Sequence, residues 1–395
     1  MSTLPMNGTV STRVVCCLDG LDPAYLAATE TLEWDRIAAA GATGECQGAV
    51  PSLTNVNNVG IVTGTHPEEH GITGNTCFDR EAGEQVYMED PSYLCRETCF
   101  ERYADRGEAS AAVVAKEKLE RFVGRGCGVT ASAESPPASL VEAVGEPPGI
   151  YSGQASEWVL DAAVHLLDSR DLDVLYISTT DVIPHKHEPG SSEANAWVGA
   201  LDSALGALAA RDVRLCVAAD HGMNHKSRCV DLDRVLASEG LSGEVIPLIR
   251  DQHTYHHQNL GGAAYVYLDT SGTPATTSAG EADATGANAD DAAAVADRLE
   301  GTPGVDLALS AAAAAERFAL PSDRIGDLVV LGDRETVFGS LEDAGSGNDG
   351  AADTQGGVDL RSHGSHHERT VPYVSNHEID LAYNTGAFAA LDEEE

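Results

Sequence analysis

The sequence predicts an α/β protein whose core is a mostly parallel sheet flanked by helices, with a small α+β cap domain inserted into it. Short apolar runs rich in β-branched residues alternate with helical patterns between residues 13 and 220. Three of these runs end in an aspartate that is followed at once by loop residues. This arrangement is typical of a parallel sheet, which presents ligands outside the carboxyl ends of its strands.

The elements of this core follow from apolar periodicity and from turn residues. The predicted strands are residues 13–19, 110–115, 173–179 and 213–219. The predicted helices lie near residues 23–40, 55–64, 154–169 and 191–210. Pro23 suits the first turn of the first helix. Because strands and helices alternate, we expect helices on both faces of the sheet.

The pattern changes after His221, where the runs GGAAYVYLD and DLVVLGD bracket an alanine-rich segment near 290–300. This β-α-β pattern predicts the cap. Two low-complexity runs, about 270–287 and 343–357, are predicted to be acidic surface loops or disordered insertions. The predicted division is a core metal-binding domain at 10–250, an inserted cap at 251–345, and a return to the core with an acidic tail at 346–395.

The charge of the chain limits its partners. Of 395 residues, 63 are acidic and 24 are basic, giving a net charge of −39 spread along the chain. Such a surface is typical of a salt-adapted, halophilic protein, and it repels nucleic acid and anionic membranes. We therefore expect a small anionic substrate held by local cations, with no nucleic-acid or membrane partner. The sequence leaves the oligomeric state open, a homodimer included.

Neither a membrane segment nor a disulfide framework is predicted. The sequence has no apolar run near the roughly 20 residues of a membrane span and no basic-then-apolar N-terminus, so we expect a cytoplasmic location. The nine cysteines lack paired metal-type spacing. Cys16, Cys17 and Cys216 lie in predicted buried strands, where a thiol acts as a small core hydrophobe.

Two acidic/histidine pairs follow predicted strands. Asp181 with His185 comes after DVLYISTTD, and Asp220 with His221 comes after VRLCVAAD. Carboxylate oxygen and imidazole nitrogen suit a zinc-like or manganese-like ion, so two pairs indicate two ions. The alternative is that these are two unrelated strand ends with polar caps.

A third strand end and a C-terminal histidine extend this set. Asp19 ends the run RVVCCLD, and Gly20 allows a sharp turn that leaves the Asp19 carboxylate facing outward. Alone, an Asp-Gly step is only a turn signal. His363, in LRSHGS, follows a short strand-like run and is a fourth candidate contribution.

Thr54 is the candidate nucleophile. In PSLTNVNNVGIVTG it opens a short helix that closes at the Thr63-Gly64 step. Free backbone N–H groups and the positive dipole end at a helix N-terminus can hold a phosphoryl oxyanion while the hydroxyl attacks. The alternative is that Thr54 is simply an N-cap. Asn75 is a candidate neutral donor to the same oxyanion, or else a turn residue.

The chain has only four lysines, namely Lys116, Lys118, Lys186 and Lys226. A sequence this poor in lysine is expected to keep it where a compact cation is needed. If the strand before Lys116 runs one residue further, Lys116 and Lys118 point the same way and can clamp a carboxylate or phosphate. The alternative is a solvated pair balanced by Glu117 and Glu120.

The ordered set of motifs resembles the alkaline phosphatase superfamily of two-metal hydrolases. The motifs are LDG at 18–20, PSLTN at 51–55, GN at 74–75, STTD with a histidine four residues on, ADHGMN and RSHG. Within the superfamily the chain resembles the phosphonoacetate hydrolases, close to the nucleotide pyrophosphatase/phosphodiesterase branch. The runs NVNNVGIVTG, KEKL and STTDVIPHKHEPG carry that likeness, which spans nearly the whole chain except the acidic insertions.

The resemblance implies an alkaline-phosphatase-like core that holds two divalent metal ions, with zinc favoured and manganese or iron(II) as alternatives. One ion would be held by Asp181, His185 and His363. The other would be held by Asp19, Asp220, His221 and the Thr54 oxygen. The implied substrate contacts are Thr54, Asn75, Lys116 and Lys118. In HGSHHE the extra His366 and His367 leave the ligand choice open, with His363 preferred, and His256 and His257 have no assigned role.

The resemblance implies hydrolysis of the C–P bond of phosphonoacetate to acetate and phosphate through a phosphothreonine intermediate. The alternative within the superfamily is a phosphodiesterase or nucleotide pyrophosphatase, which usually stacks a nucleoside on aromatic residues. Aromatic residues make up only 5% of this chain. A sulfatase would need Cys or Ser in a maturation motif where Thr54 stands. A non-catalytic, metal-bound protein that binds an anionic metabolite is a further alternative.

Overall fold

The protein is represented by a computed structural model that describes residues 11–80, 82–251, 258–269, 289–345 and 353–392. The predicted low-complexity run at 270–287 lies outside these residues, as do residues 346–352 of the run at 343–357. His256 and His257 also lie outside them.

Strands and helices alternate along the described chain. The strands are β1 (Thr12–Cys17), β2 (Ala42–Gln47), β3 (Thr76–Asp79), β4 (Glu84–Tyr87), β5 (Ser110–Val114), β6 (Val129–Ser132), β7 (Val174–Ser178), β8 (Val213–Ala218), β9 (Asn224–Val230), β10 (Gly243–Pro247), β11 (Ala263–Leu268), β12 (Val305–Ser310), β13 (Leu328–Gly332), β14 (Thr336–Phe338), β15 (Gln355–Ser362) and β16 (Thr370–Ser375). The helices are α1 (Pro23–Ala28), α2 (Leu32–Ala40), α3 (Thr54–Thr63), α4 (Pro67–His70), α5 (Cys99–Asp105), α6 (Glu117–Val123), α7 (Ala138–Val144), α8 (Gln154–Ser169), α9 (Val182–Lys186), α10 (Ser192–Ala209), α11 (Leu232–Ser238), α12 (Ala289–Glu300), α13 (Ala311–Phe318) and α14 (Ala387–Asp392).

The main sheet confirms the predicted α/β core. Among the described residues it has seven strands in the order β2-β16-β8-β1-β7-β5-β6. The pairs of β1 with β7 and β8, and of β5 with β6 and β7, are parallel. Strand β16 is antiparallel to both of its neighbours, so it alone of these seven runs in the opposite direction. All four predicted core strands lie in this sheet.

The buried core lies between this sheet and its flanking helices. Apolar side chains of β1, β5, β7 and β8 pack in one cluster with side chains of α2, α8, α10 and α14. Cys16, Cys17 and Cys216 are fully buried members of this cluster, as expected of core thiols, and all nine cysteines are free. None of the described helices is long and apolar enough to cross a membrane.

The single helix predicted at 23–40 was wrong, because the chain forms α1 and α2 with a break at Thr29–Thr31. Thr29 is extended, with φ −129° and ψ 141°. The new helix start at Leu32 is satisfied from outside, since the Asp202 carboxylate accepts hydrogen bonds from the backbone N–H groups of Glu33 and Trp34 at 3.1 and 2.8 Å. Asp202 lies on α10, so local sequence gave no sign of this cap.

A second sheet lies mostly in the region predicted as the cap, although its strand β10 comes from residues predicted as core. Its order is β10-β11-β13-β12, and its neighbouring strands are antiparallel. The predicted pair GGAAYVYLD and DLVVLGD forms β11 and β13, and α12 lies between them in sequence. A three-stranded sheet has the order β14-β9-β15, and β15 is followed in sequence by β16 of the main sheet. The domain division at residues 250 and 345 stays a prediction.

Candidate active site

The adjacent ends of β8, β1 and β7 bring three aspartates together. Cys17 of β1 stands level with Ser178 of β7 and Ala218 of β8. The chain then continues two or three residues past each strand to Asp19, Asp181 and Asp220, each at most 1% exposed. Parallel strands end at the same edge of a sheet, and this register explains why residues so far apart in sequence share one site.

Gly20 is needed for this geometry. Its φ of +75° belongs to the left-handed region that glycine adopts without cost. A Cβ atom at this position would lie 2.9 Å from the Cβ of Asp181. The N–H of Gly20 also donates to Asp220 Oδ1 at 3.1 Å, so this turn ties two of the three carboxylates together.

Three histidines turn the same ring atom toward the aspartates. The Nδ1 atoms of His185, His221 and His363 lie 2.8, 3.0 and 2.7 Å from the backbone oxygens of Arg361, Gly222 and Ser52. A carbonyl oxygen can only accept, so each Nδ1 carries the proton. In the neutral form of each ring the lone pair then lies on Nε2, which is the tautomer that metal-binding histidines use.

The Nε2 atoms and the carboxylates form two neighbouring groups. His185 Nε2 is 3.0 Å and His363 Nε2 is 3.6 Å from Asp181 Oδ2. His221 Nε2 is 3.3 Å from Asp19 Oδ1 and 3.7 Å from Asp220 Oδ2. Candidate ligand atoms converge within 4.8 Å in the sets Asp181/His185/His363 and Asp19/Asp181/His221. Asp181 thus lies between the two predicted groups and belongs geometrically to both.

Carboxylate oxygen and imidazole nitrogen are ligands for divalent metals, and one carboxylate oxygen of the site lacks a hydrogen-bond donor in the described part of the chain. The buried Asp19 Oδ2 accepts no hydrogen bond from the described residues, and the Lys116 ammonium is 3.9 Å away. A buried carboxylate oxygen without a donor is costly unless a cation is bound to it. The donor set therefore fits divalent cations.

Thr54 faces both of these groups from the start of α3. Its Oγ1 is 3.2 Å from His221 Nε2 and 3.4 Å from Asp19 Oδ1. The predicted helix limits are confirmed, with Gly64 in the left-handed conformation after Thr63. The N-cap alternative for Thr54 is wrong, because Leu53 is the N-cap and Thr54 is the first helical residue. Its hydroxyl is therefore directed at the carboxylate/histidine cluster instead of at its own helix.

Buried asparagines of α3 support this arrangement, and sequence reasoning missed them. Asn58 donates to Asp220 Oδ2 at 3.1 Å and to the Thr54 carbonyl at 2.9 Å. Its Oδ1 accepts a 2.7 Å hydrogen bond from the Tyr176 hydroxyl. Asn55 donates to Asn75 Oδ1 at 2.9 Å. Asparagine is a poor helix former, so three asparagines in this buried ten-residue helix were the available sign of a polar role.

Lys116 and Lys118 meet at a cavity, although the reason predicted for this was wrong. Strand β5 ends at Val114, Lys116 is the N-cap of α6, and Lys118 lies inside that helix. The pair therefore does not share a strand face. Lys116 Nζ lies 3.6 Å from Asp181 Oδ1, and Lys118 Nζ lies 3.2 Å from Asp251 Oδ2 and 3.5 Å from Glu89 Oε1. The solvated pair with Glu117 and Glu120 is not what forms.

The cavity in front of Thr54 is small, about 30 Å³. It is lined by Leu53, Thr54, Asn55, Asn75, Lys116, Lys118, Leu119, Asp181, Ile249, Asp251 and His363. A second cavity of about 240 Å³ shares Lys116, Lys118 and Asp251 with it. Asn75 holds its place through a 3.1 Å hydrogen bond from its Nδ2 to the Ile249 carbonyl.

Burial and crowding of negative charge shift the ionisation of these groups. Burial and the charge of Asp19 raise the pKa of Asp220 well above its usual range. Burial acts to lower the pKa of His221, but the charges of Asp220 and Asp19 outweigh it and raise this pKa to about 10. Burial and the neighbouring His221 hold the pKa of His363 well below its ordinary value. Neighbouring negative charge contributes to the shifts of Asp220 and His221, and bound cations would relieve it.

The other histidines and lysines of the sequence analysis lie elsewhere. His363 joins Asp181 and His185, whereas His366 and His367 both face Asp306. Lys186 is exposed. Lys226 is fully buried and donates to Glu368 Oε1 at 2.9 Å, so it is part of an ion pair and not of the candidate site.

Known proteins resemble this chain in sequence and in overall fold. A model of the type I phosphodiesterase / nucleotide pyrophosphatase family matches residues 14–366. Crystal structures of phosphonoacetate hydrolase from Sinorhizobium meliloti 1021, in complex with phosphonoformate and with phosphonoacetate, are 32% identical and match over 99% of both chains. Their TM-scores are 0.83 and 0.82.

A more distant solved structure shares the fold, and a further relative matches part of the sequence. Murine ectonucleotide pyrophosphatase/phosphodiesterase 5, in an inactive variant complexed with AMP, matches 96% of this chain and 94% of its own at 18% identity and a TM-score of 0.65. An uncharacterized pyrophosphatase/phosphodiesterase of Schizosaccharomyces pombe is 27% identical over 190 residues, which are 44% of this chain and 36% of that relative.

The fold and these comparisons define a hydrolase of the alkaline phosphatase superfamily. Within that superfamily the chain belongs to the type I phosphodiesterase / nucleotide pyrophosphatase family. The predicted family, fold class and enzyme class are thereby confirmed.

Proposed function

We propose that this enzyme cleaves the C–P bond of phosphonoacetate, giving acetate and phosphate, with Thr54 as the nucleophile. The observation that carries the proposal is one cavity lined by Thr54, by the candidate metal ligands Asp181 and His363, and by Lys116 and Lys118. Support also comes from the Sinorhizobium meliloti phosphonoacetate hydrolase, which matches the chain over 99% of its length.

Two divalent cations, with zinc favoured by the donor set, complete the proposed site. Asp181, His185 and His363 would hold one ion, and Asp19, Asp220 and His221 would hold the other beside Thr54. When bound, such ions neutralise phosphonyl oxygens and favour the deprotonated form of a nearby hydroxyl. Nitrogen and oxygen donors with three protein ligands and an open position are typical of catalytic zinc.

The chain's own residues orient the attack. Thr54 Oγ1 lies at the N-terminus of α3, where backbone N–H groups without intrahelical acceptors can bind a phosphonyl oxygen. Asn75 contributes as a donor, because its amide carries two hydrogens and Ile249 takes one of them. Thr54 Oγ1 loses its proton and forms a bond to phosphorus in line with the departing carbon.

The leaving group explains the need for the lysines. As the P–C bond breaks, its electron pair passes to the methylene carbon and is delocalised into the adjacent carboxylate as an enediolate. Lys116 and Lys118 line the cavity beside Thr54 and place two ammonium groups where that charge develops. By way of solvent water, the methylene carbon then takes up a proton in place of the one that Thr54 Oγ1 released, which gives acetate.

The second step restores the nucleophile. Water attacks phosphorus from the side that the carbon left, the bond from phosphorus to Thr54 Oγ1 breaks, and Thr54 regains a proton. Phosphate is released. Asn58 would keep the geometry fixed through both steps, since it bonds the Thr54 carbonyl and the Asp220 carboxylate together.

The test is an activity panel on zinc-loaded enzyme in high salt, with phosphonoacetate, a nitrophenyl phosphodiester and a nucleotide diester as substrates. We expect phosphonoacetate to be the preferred substrate. T54A should abolish phosphate release while retaining the bound zinc. K116A and K118A should lower kcat/KM for phosphonoacetate by at least about tenfold, because each removes one charge from the leaving group.

K186A is the matched control, since Lys186 is exposed and does not line the cavity in front of Thr54. It should leave kcat/KM unchanged. Rapid cleavage of the diesters without action on phosphonoacetate would overturn the substrate assignment and favour a phosphodiesterase. Undiminished phosphate release by T54A would overturn the nucleophile.

A further inference from the structure

A second cluster of metal-type ligands lies apart from the candidate active site. Asp306 on β12 faces His366 and His367, which form a short turn after the His363-Gly364 step. Asp306 Oδ2 is 3.1 Å from His366 Nε2 and 3.0 Å from His367 Nε2. The centroids of the two imidazole rings are 4.1 Å apart. One carboxylate oxygen and two imidazole nitrogens therefore converge, from segments about sixty residues apart in sequence.

These separations suit coordination of one ion. Zinc binds imidazole nitrogen and carboxylate oxygen at about 2.0–2.1 Å, so neighbouring donors in a tetrahedron lie about 3.3 Å apart. Both measured oxygen–nitrogen distances are close to that value. The side chains are 21%, 27% and 41% exposed for His366, His367 and Asp306, so solvent can supply the remaining ligand.

An ordinary surface pair in the same chain has a different form. His225 Nε2 lies 2.9 Å from Asp359 Oδ1, with the two side chains 56% and 95% exposed. That pair offers two donors and is largely solvated. The Asp306 cluster instead offers three donors, and Ser365, which precedes its two histidines, is held by a 2.7 Å hydrogen bond from its Oγ to the Gly332 carbonyl.

We propose that Asp306, His366 and His367 bind a divalent cation at a site separate from the candidate active site. The ion would join the four-stranded sheet, through β12, to the turn that begins three residues after His363. Its role is structural, since it fixes the return segment of the chain against the second sheet. The inference rests on these three residues and does not depend on the proposed function.

The test measures zinc bound per chain, by elemental analysis after equilibrium dialysis against buffered free zinc in high salt. The variants are H366Q/H367Q, D306N and, as the matched control, H225Q. Wild type and H225Q should bind one more zinc than H366Q/H367Q. D306N should bind that zinc at least about tenfold more weakly, because it loses the charged ligand.

Stability provides a second readout. Added zinc should raise the melting temperature of wild type and H225Q by more than that of D306N, because a ligand bound only to the native state stabilises it. If H366Q/H367Q does not fold, D306N decides the matter, since its side chain is partly exposed. Equal zinc counts and affinities in all four proteins would overturn the proposal, whatever their activity on phosphonoacetate.

Discussion

The buried ion pair of Lys226 and Glu368 gives the sharpest prediction on stability. Both side chains are fully buried, and their Nζ and Oε1 atoms are 2.9 Å apart. Glu368 also accepts hydrogen bonds from Asn224 Nδ2 at 2.7 Å and from the Ser365 N–H at 2.9 Å. This carboxylate thus holds the turn that follows His363. Its only cationic side-chain partner among the described residues is Lys226.

K226M keeps the apolar stem of the side chain and removes its charge. The variant leaves Glu368 as an uncompensated buried carboxylate, which costs about 3–5 kcal/mol. The Asn224 and Ser365 hydrogen bonds remain, so the lower half of that range is expected. E368Q keeps an acceptor for Lys226, and the double variant K226M/E368Q removes both charges. The two losses should therefore not add, and we expect a coupling of at least about 1 kcal/mol.

The assay is urea unfolding at constant high salt, followed by tryptophan fluorescence. K186M is the control, because Lys186 is exposed and its loss should stay within about 0.5 kcal/mol. A loss below about 1 kcal/mol in K226M, or strictly additive losses in the double variant, would refute the reasoning. Either result would mean that the pair contributes little beyond its packing.

Two further predictions concern buried polar groups. Burial lowers the pKa of His70 to about 3, against about 6.5 in the unfolded chain. Below pH 6.5 the unfolded state therefore binds a proton that the folded state does not, and the free energy of unfolding falls as the pH drops. Between pH 7 and pH 5 this costs about 2 kcal/mol, and urea titrations should show that H70N loses that much less than wild type over the interval. N58A removes hydrogen bonds to Asp220, Tyr176 and the Thr54 carbonyl. We therefore expect kcat for phosphonoacetate to fall at least about tenfold. An unchanged kcat would show that Asp220 and Thr54 keep their positions without Asn58.

The strand ends and the start of α3 were predictable because they depend on local patterns. An apolar run that ends in Asp19, Asp181 or Asp220 reveals both the strand and the edge at which it stops. Parallel pairing then puts the three carboxylates on one edge of the sheet, and they meet because β8, β1 and β7 are neighbours, an order that the local patterns do not reveal. The helix from Thr54 to Thr63 was likewise marked by its own start and its glycine stop.

Long-range partners were not predictable from a single sequence. Asp202 caps α2 from 168 residues away, and Glu368 pairs with Lys226 from 142 residues away. Nothing near Leu32 or Lys226 indicates these partners. Lys118 shows the limit most clearly, since its place in the cavity was predicted while the strand geometry offered as the reason was wrong.

The formal charge around the cavity explains why the proposed cations matter to substrate binding. With the histidines counted as neutral ligands, the carboxylates of Asp19, Asp181, Asp220, Asp251 and Glu89 outnumber the ammonium groups of Lys116 and Lys118 by three. A phosphonate carboxylate would be repelled by such a site, and the net charge of −39 adds to the repulsion. Two divalent cations would reverse the local sign to a single positive charge. The lysines alone would therefore not attract the proposed substrate, and their proposed role is to place positive charge at its carboxylate once the cations have made the site positive.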